Sequence, residues 1–133
     1  MTERGRVLVV DDSSTAREIY GAFLRHAGYA VVEAADGLEA LERIAADRPD
    51  VMVLDVVLPR MDGLEVMRRA REAAAGLPII CVTAAMSDDY RRRARRLDCA
   101  AFVEKPDSPR RIVDVVRAVL EGAVMAGGEE PER

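Results

Sequence analysis

Val51-Met52-Val53-Leu54-Asp55-Val56-Val57 is apolar but for one carboxylate, and Leu58-Pro59-Arg60-Met61-Asp62-Gly63 follows it. A run this apolar, closed by prolines at 49 and 59, suits a strand buried on both faces. An ionised aspartate near the end of such a strand is costly unless a cation or hydrogen bonds meet it. Two more acids, Asp11 and Asp12, follow the apolar run at residues 7–10. If the two strands are parallel neighbours, three carboxylates converge at one sheet edge.

Composition narrows the field. The 133 residues are a single-domain length, and 50% hydrophobic content suffices for a core. A net charge of −4 argues against a generic nucleic-acid binder. No apolar stretch approaches the roughly 20 residues that span a bilayer. The start, Met1-Thr2-Glu3-Arg4-Gly5-Arg6, lacks the apolar segment of a secretory signal, so no membrane partner and a cytoplasmic location are expected. Cys81 and Cys99 are too few for a disulfide framework and read as reduced. His26 alone cannot supply a histidine metal cluster or a serine-type triad.

Working along the chain, residues 7–10 form a first strand. Ser13 or Ser14 caps a helix whose stripe is Ala16, Ile19, Phe23 and Ala27, ended by Gly28. Residues 30–33 are a second strand. Asp36 and Glu39 have capping-box spacing before a helix carrying Leu38, Leu41, Ile44 and Ala45. After the Asp55 strand, Asp62 and Glu65 repeat that spacing ahead of Leu64, Met67, Ala70 and Ala74. Pro78 opens a fourth strand at 79–82, followed by Thr83. Asp88 or Asp89 caps a fourth helix with Tyr90, Ala94 and Leu97 inward. Residues 101–103 are a fifth strand, and Ser108-Pro109 opens a helix with Ile112, Val115, Val116 and Val119. Five strands alternating with five helices predict an α/β domain with a parallel sheet and right-handed crossovers.

In such sheets functional groups gather beyond the carboxyl ends of the strands. There the sequence places Asp11 and Asp12, Asp55, Thr83 and Lys105. Clustered carboxylates repel unless a divalent cation neutralises them, and oxygen-only ligands suit Mg²⁺. A carboxylate can act as nucleophile toward a phosphoryl group, with Lys105, the Thr83 hydroxyl and backbone N–H groups receiving its charge. The set is sufficient to accept a phosphoryl group.

Val9-Val10-Asp11-Asp12, the stretch from Asp55 to Gly63, Val82-Thr83-Ala84 and Lys105-Pro106 together resemble the receiver domain of bacterial two-component response regulators. The resemblance covers about residues 7–120 and is to the single-domain, chemotaxis-regulator type. It implies a flavodoxin-like, doubly wound (βα)5 fold with strand order 2-1-3-4-5. It implies a receiver over residues 1–121, a flexible tail over 122–133 and no output domain. By resemblance, Asp55 accepts phosphate from a phosphohistidine on a sensor histidine kinase or phosphotransfer protein. Asp12, Asp55 and the Val57 carbonyl bind Mg²⁺ directly, and Asp11 through water. Thr83 and Lys105 contact the phosphoryl group, and the bond between Lys105 and Pro106 is cis. Phe102 matches the aromatic switch position, which alters the surface of helix four, strand five and helix five toward a downstream target. The protein would catalyse only its own phosphorylation and dephosphorylation, either as a monomer or dimerising once phosphorylated.

Asp107 replaces a common Phe of the family, and Asp98 a common Gly. Val57 and Ala85, two residues past Asp55 and Thr83, are apolar and cannot orient a water, so slow self-dephosphorylation is expected. Three rivals stand beside the receiver reading. A flavin binder lacks its phosphate loop here, an aspartate-nucleophile phosphatase lacks its Asp-x-Asp motif, and the third is a receiver fold that is never phosphorylated and serves only for interaction. Asp36 and Asp62 are assigned to helix caps. Arg91, Arg92, Arg93, Arg95 and Arg96 form a basic stretch in an acidic chain. It is either a solvated face or, through Arg91, Arg92, Arg95 and Arg96, a docking face for an acidic partner or a phosphate-bearing ligand. Without aromatic interleaving it does not suit single-stranded nucleic acid.

Overall fold

A computed structural model describes residues 4–58, 61–83, 87–97, 99–105 and 108–122. The strands are β1 (Arg6–Val10), β2 (Ala30–Ala34), β3 (Val51–Asp55), β4 (Ile79–Thr83) and β5 (Ala101–Glu104). The helices are α1 (Ser14–His26), α2 (Gly37–Ala46), α3 (Gly63–Ala73), α4 (Asp88–Arg96) and α5 (Pro109–Leu120). The sheet runs β2-β1-β3-β4-β5 with every pairing parallel, the expected doubly wound order.

Although β3 and β4 are buried along their whole length, side chains still alternate between two cores. Leu8, Val10, Met52, Leu54, Ile79, Cys81 and Phe102 face one core, shared with α2, α3 and α4. Val7, Val9, Val51, Val53, Ile80 and Val82 face the other, shared with α1 and α5. Both cysteines are free and buried. Among the described residues, no helix is long and apolar enough to cross a membrane.

The caps follow local chemistry. Ser13 accepts from the Ala16 N–H, Asp36 from Glu39, Asp62 from Leu64 and Ser108 from Arg110. Glu39 reaches back to the Ala35 N–H at 2.7 Å, whereas Glu65 turns instead to Arg68 and Arg69. On α4 the cap is Ser87, not Asp88 or Asp89, which occupy the first turn where the helix dipole favours acids.

Two helices turn part of their expected stripe outward, although Ala27 at the end of α1 and Leu41 and Ile44 on α2 do pack on the cores. On α1, Ile19 and Phe23 are each 41% exposed, while Gly21 and Leu24 are buried. A Cβ on Gly21 would lie 3.6 Å from Val31 Cγ1, an ordinary packing distance against β2. On α2, Leu38 is 47% exposed and Gly37, Ala40 and Ile44 face inward. The α3 stripe of Leu64, Met67, Ala70 and Ala74 is buried as expected. Strand β3 ends at Asp55, leaving Val56 buried and Val57 68% exposed. Ala84, Ala85, Asp98, Pro106, Asp107 and residues 123–133 lie outside the described residues, so the cis bond and the tail do too.

Candidate functional site

Val10 pairs with Leu54 in the register of β1 and β3, so the residues that follow, Asp11 and Asp55, arrive together at the sheet's carboxyl edge. Both are buried, with Asp11 2% and Asp55 7% exposed. Asp12 is exposed at the rim. One carboxylate oxygen from each of Asp11, Asp12 and Asp55 lies within 4.8 Å of the others. Lys105, the residue after β5, reaches over this cluster. Its Nζ donates to Asp11 Oδ2 at 2.8 Å and to Asp55 Oδ2 at 3.1 Å.

The other oxygens are held by backbone. Asp11 Oδ1 accepts from the Ser13 N–H at 2.9 Å, and Asp55 Oδ1 from the Val57 N–H at 3.0 Å. Thr83, 1% exposed, ends β4 one residue past Val82, the register partner of Asp55. The Lys105 N–H donates to the Thr83 carbonyl at 2.7 Å, locking these two strand ends together. Arg17 steadies the loop after β1, donating to the Asp11 carbonyl at 2.6 Å and to Glu33 Oε1 at 3.1 Å.

Burial is the largest influence on Asp55 and raises its pKa above the ordinary value; the Asp11 charge adds to this, while the Val57 N–H and Lys105 oppose it. For Lys105, burial alone would depress the pKa, but the bond to Asp11 and the charges of Asp55 and Asp11 outweigh it and raise the pKa. The oxygen-only donor set fits a hard divalent cation such as Mg²⁺. The pocket can therefore hold a dication and present a buried carboxylate beside an ammonium group.

Phe102 is 2% exposed, and the guanidinium carbons of Arg91 and Arg95 sit 5.0 and 5.9 Å from its ring centroid. Tyr90 opens α4 and donates its hydroxyl to Asp62 Oδ1 at 2.8 Å, bridging α4 to the cap of α3. Burial first, then the Asp62 carboxylate, pushes that phenol up. Two contacts escaped the sequence reading: Tyr90 looked like core and Asp62 like a cap alone, and Arg17 carried no signal beyond its spacing from Asp11.

Asp11, Asp12, Asp55 and Lys105 therefore form one cluster, with Thr83 at the neighbouring strand end, at the edge where this fold places its chemistry. The chain belongs to the response regulator receiver domain family, whose model matches residues 7–117, and is a signalling module of two-component systems. The response regulator MprA of Mycobacterium ulcerans is 45% identical over 117 residues, which are 86% of this chain and 50% of that protein. MprA of Mycobacterium tuberculosis is 44% identical over the same span. This chain spans about half the length of the curated relatives it matches. Among solved structures, a CheY-like receiver domain protein from Methanospirillum hungatei superposes with a TM-score of 0.85 at 27% identity, covering 88% of this chain and 94% of that one. The chemotaxis response regulator CheY4 of Vibrio cholerae gives 0.82 at 32% identity, covering 89% and 99%.

Proposed function

We propose that Asp55 is the phospho-acceptor of this receiver, taking a phosphoryl group from the phosphohistidine of a sensor kinase or phosphotransfer protein. An Asp55 carboxylate oxygen bonds to phosphorus as the phosphorus–nitrogen bond breaks; with a proton on the other ring nitrogen of the phosphohistidine, the products are a neutral imidazole and an acyl phosphate. Asp11, Asp12, Asp55 and the Val57 carbonyl would hold Mg²⁺, with Asp11 acting through water. The ion, when bound, supplies positive charge to the phosphoryl oxygens. Lys105 holds the acceptor oxygen now and would follow the new charge, and the Thr83 hydroxyl donates to a phosphoryl oxygen.

The bridge of Lys105 Nζ to both Asp11 and Asp55 carries this reading, because it places a cation on the buried acceptor. The signal leaves through β5, where Phe102 lies under Arg91 and Arg95, and reaches the face formed by α4, β5 and α5. That face would meet the downstream target. The test is incubation with acetyl phosphate or beryllofluoride and Mg²⁺, comparing the wild type with Asp55→Asn. A mass gain of one phosphoryl group confined to the wild type is expected. A protein indifferent to both reagents would instead be a constitutive interaction module.

A further inference from the structure

Five of the nine residues of α4 are arginine. Ala94 is buried and Tyr90 and Leu97 half-buried, which marks the inward side. At about 100° per residue, Arg92 lies opposite, with Arg91 and Arg95 on one flank and Arg93 and Arg96 on the other. Elsewhere the chain pairs its arginines: Arg17 with Glu33 at 3.1 Å, Arg43 with Glu39 at 3.2 Å, and Arg69 with Glu65 at 2.8 Å. On α4, among the described residues, only Arg92 has a carboxylate within 4.0 Å, Asp89 at 3.5 Å. Arg91 and Arg95 lie on the Phe102 ring. That leaves Arg93 and Arg96, which line a groove of about 330 Å³ between α3 and α4, with Leu64 and Leu97 as its apolar wall. Arg93 stood outside the docking set expected from sequence.

Of the two acids at this groove, only Glu65 is paired with a cation among the described residues. Asp62 Oδ1 accepts from the Tyr90 hydroxyl and the Leu64 N–H, and Glu65 is held by Arg68 and Arg69. Glu65 is thus balanced by arginines and Asp62 keeps one negative charge, against which Arg93 and Arg96, with no carboxylate within 4.0 Å among the described residues, leave the groove net positive. Residues three apart on a helix are neighbours, about 5–6 Å between Cβ atoms, so both guanidinium groups can reach adjacent phosphates of one ligand. Guanidinium binds phosphate through paired N–H donors, and the volume is at the lower end of the roughly 300–1,000 Å³ usual for small-molecule sites. We propose that this groove binds a nucleoside diphosphate, with Arg93 and Arg96 on the phosphates and the half-buried Leu97 against the base. The site is separate from the Asp55 pocket and needs no phosphorylation. It does share α4 with Phe102, so ligand and phosphorylation would influence each other reciprocally.

The test is titration of the unphosphorylated full chain with ribose-labelled fluorescent ADP, with no phosphodonor present, so the outcome is independent of the Asp55 reading. Saturable binding is expected, displaced by unlabelled ADP and not by adenosine. The Arg93→Ala/Arg96→Ala variant should weaken it by about tenfold or more, since two charge-assisted contacts are lost. Arg91→Ala/Arg95→Ala should change it less, and circular dichroism should show both variants folded. Absence of saturable binding, or equal affinity in the Arg93→Ala/Arg96→Ala variant, would overturn the proposal. So would displacement by an oligoglutamate peptide or a single-stranded oligonucleotide in preference to ADP, which would assign the arginines to a macromolecular partner.

Discussion

Gly63→Ala sets two effects against each other at the start of α3. Alanine is the better helix former by about 0.5–1 kcal/mol, so propensity alone predicts a gain. The surroundings predict a loss. A Cβ on Gly63 would stand 2.6 Å from the Val56 Cα, 2.6 Å from its carbonyl oxygen and 2.9 Å from its carbonyl carbon. Carbon atoms rest at about 3.5–4.0 Å, so the overlap with Val56 Cα is roughly 1 Å. These are backbone atoms and cannot rotate away. Val56 is fixed on both sides, its N–H donating to the Val82 carbonyl at 3.1 Å and its carbonyl accepting from the Gly63 N–H at 3.2 Å. Overpacking costs about 1–3 kcal/mol, and a rigid neighbour puts this site near the top. The net expectation is a loss of about 2 kcal/mol by urea unfolding. Relief would come by moving the segment after β3, which draws the Val57 N–H away from Asp55 Oδ1, now at 3.0 Å. Phosphorylation by acetyl phosphate should therefore slow as well. Gly76→Ala is the control. It sits at φ +85° with Arg48 Nη2 at 4.0 Å as its nearest neighbour, so it should lose about 1–2 kcal/mol from backbone conformation alone and phosphorylate normally. A Gly63→Ala protein as stable as the wild type would refute the steric argument. A destabilised one with an unchanged phosphorylation rate would separate the glycine from the site.

Tyr90→Phe removes the hydroxyl that bridges α4 to Asp62, and should cost about 0.5–1.5 kcal/mol in urea unfolding while easing displacement of α4, read as a larger response to beryllofluoride near Phe102. Val57 presents an apolar side chain, 68% exposed, two residues past Asp55. The acyl phosphate should therefore be long-lived, and Val57→Asn should shorten it; a wild-type lifetime of seconds in Mg²⁺ would contradict this. Glu65 is held down to about 2 from its ordinary 4.5, first by hydrogen bonds from Arg68 and Arg69. Its folded-state pKa is depressed, so its stabilising contribution is present above the ordinary carboxylate range and lost as pH falls toward about 2. Proton-linked NMR shifts should show that midpoint, rising toward the ordinary value in Arg68→Ala/Arg69→Ala.

Four strands were legible as apolar runs closed by a polar residue, and the site was legible because those polar residues fall at the same end of the sheet; β2, with Glu33 inside it and Ala34 at its end, contributes none. Helix rotation was harder to read. The stripe on α3 is built of large apolar residues and reads directly, but α1 and α2 bury small residues, Gly21, Gly37 and Ala40, with Gly37 against Val66 of α3. Ile19 and Leu38 are left exposed, which hydrophobic periodicity, weighing only size and polarity, does not show. Strand order came from resemblance, since apolar runs do not say which neighbour a strand chooses. The Tyr90–Asp62 bond joins residues 28 apart, and no spacing rule carries such a pairing.

The arrangement of charge explains why one covalent event at Asp55 would be felt far away. Three carboxylates against one ammonium leave two negative charges in a pocket whose acceptor is buried, the charge that one divalent cation balances. An acyl phosphate on Asp55 carries more negative charge than the carboxylate it replaces, so a neutralised pocket becomes negative again. The donors that would answer are on β4 and β5: the Thr83 hydroxyl and the Lys105 ammonium, whose strand ends are joined by the 2.7 Å bond from the Lys105 N–H to the Thr83 carbonyl. A shift of either strand end moves the other. Phe102 lies on β5 three residues before Lys105, wedged between the sheet and the Arg91 and Arg95 guanidinium groups. Interiors are close-packed and do not deform by small degrees. A ring displaced there must displace α4, and α4 carries the densest positive charge of the chain. On this reading the readout would be electrostatic: phosphorylation at an acidic pocket would be converted into a rearrangement of the arginines of α4.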